Sequence, residues 1–205
     1  IIFSDAGSQA HRLNSAVKTA RLGQILWFPD GRRYRYALAG GVTLVGGDIL
    51  QGKALVTGDY TDVVSDVAPA VGDKSLSLST TTTTAANYYD DGWTHCNLAT
   101  TTLKNQAFKL RKTNANIVLA NSAANIIHLN PADPISVAGT TASEFGLVPN
   151  EFNGVIVYPT TLTSRIVGVA SFPITTARYG YVQTYGMGVV NAIASEVVGN
   201  RIIVN

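Results

Sequence analysis

A chain of 205 residues is long enough to bury a core in one or two domains. Its net charge of +2 gives no global case for nucleic-acid binding. Its single cysteine, Cys96, excludes an intrachain disulfide, and no apolar run reaches membrane-spanning length. The low charged fraction, 14%, with 19 glycines, suits an all-β protein with tight turns and large buried or partner-covered surfaces.

The charge is uneven. Up to Tyr36 six Lys/Arg stand against two Asp, a net of +4; from Ala37 onward nine stand against eleven, a net of −2. A basic N-terminal segment ahead of a near-neutral body suggests an arm that meets something acidic. Ile1-Ile2-Phe3 by itself is too short for a signal-peptide core. Within residues 1–23, Leu13, Val17 and Ala20 have helical spacing, with Asn14 or Ser15 as a cap. The alternatives are a poorly ordered tail and an extended arm that orders on a partner.

Asp30-Gly31 between Gln24–Phe28 and Arg32–Leu38 is a strong hairpin signal. In the second strand Arg33 and Arg35 alternate with Tyr34 and Tyr36. A basic, aromatic face of this kind can bind nucleic acid. The better reading packs the tyrosines inward and turns the arginines to solvent or an acidic neighbour, as in any half-buried strand. Gly40-Gly41 through Gly46-Gly47 lacks the Gly-Lys-Ser/Thr ending of a phosphate loop and reads as turns around a short strand.

Residues Lys53 to Val71 read as a surface linker interrupted by Asp59, Asp62, Asp66 and Pro69. Ser75–Ser79 alternates strictly and predicts a strand; Thr80–Thr84 fits strand or loop. Asn87-Tyr-Tyr-Asp-Asp-Gly-Trp reads as a turn entering a strand. Ala107–Asn114 and Asn125–Asn130 read as further strands. Gly139–Gly146 reads as a loop and Pro149–Gly154 as a turn. Three β-branched and aromatic runs follow, Val155–Tyr158, Arg165–Phe172 and Tyr179–Tyr185, bounded by Pro, Gly, Thr or Ser, and predict consecutive antiparallel strands. Arg201–Asn205 reads as a closing strand. The expected architecture is an antiparallel β-sandwich or barrel body (24–70 plus 138–205), an inserted small β-domain (71–137) and an extended N-terminal arm (1–23).

Chemistry is sparsely encoded. His11, His95 and His128 have no paired metal-ligand spacing, and His95 and Cys96, adjacent on a strand, point apart. No Gly-x-Ser-x-Gly elbow is present. Asp90, Asp91, Glu144, Glu151 and Glu196 could supply a glycosidase pair, but Asp90-Asp91-Gly92 reads as a turn and the glutamates as loop residues. Alternation puts Tyr179, Tyr181, Gln183 and Tyr185 on one strand face, where tyrosines serve a core, a protein interface or a sugar platform. Core plus interface is the favoured reading. No cofactor, metal or catalytic residue is expected.

Asp30–Leu44, Asn87–Trp93, and above all Asn150–Ala170 continuing through Arg178–Gly186 resemble a group of tailed-bacteriophage virion proteins found beside the major capsid gene. The resemblance covers most of the chain after about residue 24. Thr80–Thr84 and Asn97–Asn105 depart from it and leave the strand register of the middle domain open. Such proteins look like capsid decoration, or cement, proteins: β-rich, oligomeric, and coating the shell lattice. The resemblance implies a place on the outer capsid surface of a virion, with the major capsid protein and further copies of the same chain as partners. A homotrimer is favoured and a homodimer is possible; no direct nucleic-acid or membrane contact is implied. On that reading Arg12, Lys18 and Arg21 of the arm meet an acidic shell surface. Arg165, Val167, Val169, Tyr179, Tyr181, Gln183 and Tyr185 form the oligomer contact. The alternatives are a tail or fibre module that recognises a host glycan, and a glycan hydrolase.

Overall fold

The computed structural model describes residues 1–3, 5, 8–111, 119–120, 123–158 and 163–191. The strand expected at Arg201–Asn205 and the residue Glu196 lie outside the described residues. The described chain is all-β, apart from one 3-10 turn at Ala10–Arg12. It divides into two compact units: an outer one of residues 1–53 with 154–205, and an insert, Ala54–Asn153.

The outer unit holds β1 (Ile2–Phe3), β2 (Ile25–Trp27), β3 (Arg33–Ala39), β4 (Ile49–Gln51), β11 (Asn153–Val157), β12 (Ile166–Val169) and β13 (Tyr179–Tyr185). These strands run in the order β1-β2-β3-β11-β4-β12-β13, and β13 returns to pair with β3. That last pairing closes five of them into a barrel, with β2 and β1 continuing outward from β3. Closure removes the open edges that a flat sheet would leave. The hairpin at Asp30-Gly31 forms as expected: Phe28 N donates to Arg32 O, and Gly31 has φ +88°.

Two loops cross at one end of the barrel strands. Residues 40–48 join β3 to β4, and residues 170–178 join β12 to β13. Leu44 and Ile174, both fully buried, meet as an antiparallel bridge. Gly47 N donates to Ala170 O, and Ala177 N donates to Gly40 O. Asp48 N donates to Val45 O, and Arg178 N to Thr175 O. Each of these bonds in one loop has a counterpart in the other, so the two loops are related by a local two-fold. Their side chains share almost nothing.

The insert holds β5 (Val63–Ser65), β6 (Ser75–Ser79), β7 (Trp93–Leu98), β8 (Ala107–Lys109), β9 (Ala124–His128) and β10 (Glu144–Val148), in one curled antiparallel sheet of order β8-β7-β10-β5-β6-β9. Its end strands approach each other through a bridge between Leu110 and Leu129. The concave side encloses Val63, Leu76, Leu78, Cys96, Leu103, Phe108, Phe145 and Leu147. Gly146 on β10 lies so close to its neighbours that a Cβ there would stand 2.0 Å from Tyr60 O.

The insert is wider than residues 71–137. Val63–Ser65, read from sequence as linker, forms β5 and pairs with β6. Glu144–Gly146, read as loop, belongs to β10 and pairs with β5 and β7. Both segments are too short and too mixed to announce themselves, and their pairing with each other joins positions far apart in sequence.

Candidate interaction surfaces

Four strands of the outer unit bring four side chains into one row. The register pairs Phe3 with Trp27, Trp27 with Arg33, and Arg33 with Tyr185. Paired residues of neighbouring strands share a face. Phe3 stacks on Trp27 at 6.1 Å between ring centroids, the Arg33 guanidinium lies 4.3 Å from the Trp27 ring, and Tyr185 covers its other side at 4.7 Å. The row spans about 14 Å, three inter-strand spacings of about 4.8 Å. Its two ends, Phe3 and Tyr185, are exposed.

The opposite side of β3 is covered by the chain's own arm. Tyr34 and Tyr36 are fully buried, as the alternation predicted. His11 sits 5.3 Å from Tyr34 and 5.4 Å from Phe28. Thr19 N donates to Tyr36 Oη at 3.0 Å, and Ser15 bridges Tyr179 by two backbone bonds. The arm is therefore extended, and along residues 8–20 it lies on the outer unit. The helical spacing of Leu13, Val17 and Ala20 is not used. The Ser15 hydroxyl instead bonds Val17 N and O, the local competition that draws Ser away from helices.

Arg12 and Arg21 of the arm are exposed and Lys18 is half-buried. The Arg12 guanidinium lies 5.7 Å above the Phe172 ring. Of the residues expected at the oligomer contact, Arg165 and Tyr185 are exposed, and Val169 and Tyr179 are half-buried. Val167, Tyr181 and Gln183 are buried within the chain itself. Tyr36 lies between Tyr179, stacked at 5.7 Å, and Tyr181, edge-on at 5.4 Å. The Gln183 amide donates to Met187 O at 2.7 Å and accepts from the Ser171 hydroxyl, which pins the turn after β13. A register shift between Gln183 and Tyr185 then sends Tyr185 to the Arg33 side. The strict alternation that grouped the three tyrosines with Gln183 breaks at that bulge.

Among the described residues Arg33 meets no acidic neighbour. Arg33 lies between rings, and Arg35 Nη1 donates to Gly23 O at 3.0 Å. Arg32 pairs with a carboxylate, at 2.7 Å to Asp30 Oδ2. The hairpin centred on Asp30-Gly31 could have placed Trp27 against Arg33 from sequence. Phe3 and Tyr185 come from remote segments, and no local pattern marks them.

In the insert, His95 is half-buried and Cys96 fully buried, on opposite faces of β7. Burial pushes the Cys96 thiol up, away from the reactive thiolate. Asp90 and Asp91 lie in the turn before β7, Glu144 on β10, and Glu151 in the turn before β11. The fully buried Asp59 accepts from Tyr89 Oη at 3.0 Å and from Thr81 N at 3.2 Å. Burial first, and then Asp59, push the Tyr89 hydroxyl far above its ordinary value, so it remains a hydrogen-bond donor. The arrangement anchors the 80–92 loop to the 56–60 turn. Compared with protein-family models, curated proteins and solved structures, the chain matches none.

Proposed function

We propose that this chain is a virion structural protein that decorates a capsid shell and stabilises it, through contacts with the major capsid protein and with further copies of itself. The observation that carries this is the exposure of large apolar side chains on the outer unit. Phe3 is 76% exposed, Tyr185 61%, Met187 92% and Val189 82%. Two of them end the Phe3–Trp27–Arg33–Tyr185 row, which makes that side a coherent strip. Apolar strips on a β surface mark places where another protein sits. The sequence resemblance to decoration proteins points to a shell as that other protein, and to its outer surface as the location.

Stabilisation then follows from mass action. A protein that binds the assembled shell and not the disassembled one adds RT ln(1 + [L]/Kd) per site, about 2.7 kcal/mol at a hundred-fold excess over Kd. Many small contributions across a lattice sum to a large one. Closed symmetry is the rule for such assemblies; a homotrimer is the favoured reading and a homodimer the alternative, as shell lattices offer both kinds of axis.

A host-glycan module is less well supported by the same row. Sugar platforms need a free aromatic face, whereas Trp27 carries Phe3 on one side and Arg33 on the other.

The test is the copy number of this chain relative to the major shell protein in purified particles, by quantitative mass spectrometry. Comparable copies support lattice-wide decoration. A handful per particle moves the chain to the tail or fibre, and absence from particles removes the structural role.

A further inference from the structure

Arg33 is the charged group of the exposed row. Its guanidinium carbon lies over two rings, 4.3 Å from the Trp27 centroid and 4.7 Å from the Tyr185 centroid. Its Nε is enclosed with no hydrogen-bond partner. Among the described residues no carboxylate pairs with it. The neighbouring cations are already engaged: Arg32 with Asp30, and Arg35 with Gly23 O. Rings from the strands on either side strip water from the guanidinium and restrict it, which leaves the Nη groups to make bonds. A planar, pre-oriented fork of this kind matches a carboxylate by two parallel hydrogen bonds. Holding it in place beforehand also lowers the entropy lost on binding.

We propose that the Trp27–Arg33–Tyr185 clamp is a receptor for an aspartate or glutamate side chain on an acidic segment of a protein partner. Charge complementarity supports an acidic occupant, since the first 36 residues carry a net of +4. Nucleic acid fits less well. Backbone tracking needs several open cations along a groove, and base stacking needs free rings. This row carries a single cation, with Phe3 and Arg33 packed against Trp27. The inference rests on the assembly role only for the source of the carboxylate.

The experiment is an NMR titration of the full chain near neutral pH, following the Trp27 indole N–H and the Arg33 Nε–H. The probes are an acetylated hexaglutamate peptide, a hexalysine peptide and a hexathymidylate. The expected result is that hexaglutamate moves both signals, hexalysine moves neither, and Arg33→Gln weakens hexaglutamate binding at least tenfold. Arg33→Lys, which keeps the charge and loses the fork, is expected to fall between. Tyr185→Ser opens one side of the clamp without touching the cation and is expected to weaken binding as well; it serves if Arg33→Gln fails to fold. No shift with hexaglutamate, or equal affinity in wild type and Arg33→Gln, overturns the proposal. Tighter binding of hexathymidylate through the same two signals also overturns it, in favour of nucleic acid. A positive titration with few copies in particles would leave the clamp standing and remove the shell, so the two ideas fail separately.

Discussion

Leu44 and Ile174 exchange both of their backbone hydrogen bonds, Leu44 N to Ile174 O at 2.9 Å and Ile174 N to Leu44 O at 3.0 Å. They lie 130 positions apart, and this exchange is where the two crossing loops of the outer unit meet. The loops share backbone geometry down to the left-handed residue before the second strand. In the first loop that residue is Gly47, φ +92°; in the second it is Ala177, φ +56°.

The equivalence makes a stability prediction. An L residue held in the left-handed region costs about 1–2 kcal/mol, and glycine avoids most of it. Ala177→Gly is expected to raise stability by about 1 kcal/mol. The reciprocal Gly47→Ala is expected to lower it by about 1–2 kcal/mol, with the new Cβ also 2.5 Å from Asn191 Oδ1. Urea unfolding of the two variants reads both signs; equal effects in the same direction would show that the loops are not equivalent.

The buried Asp59 gives a second prediction, in the insert. Tyr89→Phe removes a hydrogen bond to a fully buried carboxylate while keeping the ring. The expected cost is about 1.5–3 kcal/mol, the range for a bond to a charged group. Chemical denaturation followed at Trp93 measures it, and a loss below about 0.5 kcal/mol would place water-like compensation at the site.

His11 sets a pH dependence. Burial first, and then Arg32 and Arg12, hold its pKa below the ordinary value; Asp30 opposes them. The folded chain thus prefers the neutral ring. The stability it contributes is present above the unfolded pKa, about 6.5, and is lost as pH falls from there through the lower folded value. His128 is lowered in the same direction by burial and Arg111. Thermal stability is therefore expected to fall below pH about 6.5. His11→Gln is expected to flatten part of that slope and leave the His128 part. A slope unchanged by His11→Gln would mean that the arm does not register this titration.

Arg12, Lys18 and Arg21 test the electrostatic part of shell attachment. Exposed charges act through a screened field, with a reach of about 8 Å at physiological ionic strength. Substituting all three with Ala is expected to weaken co-sedimentation with shells at physiological salt. Undiminished co-sedimentation would assign attachment to the apolar strip alone.

Much of this protein was determined by its sequence alone. Ser75–Ser79, Tyr179–Tyr185 and the Asp30-Gly31 hairpin formed where alternation and turn chemistry placed them, because a two-residue period and a left-handed Gly31 are local properties. The inward tyrosines at 34 and 36 followed from the same period. Tertiary structure decided the rest. Val63–Ser65 and Glu144–Val148 became strands because β10 pairs with β5 and β7, both far from it along the chain. Barrel closure needed β13 to find β3 across more than a hundred residues. The two-fold of the loops is carried by backbone bonds between dissimilar side chains, so no residue pattern could announce it. Arg33 reads locally as a solvent-facing cation. It became a clamped one only when β2 and β13 set Trp27 and Tyr185 on either side of it, since register between distant strands is fixed by the whole sheet and not by either strand.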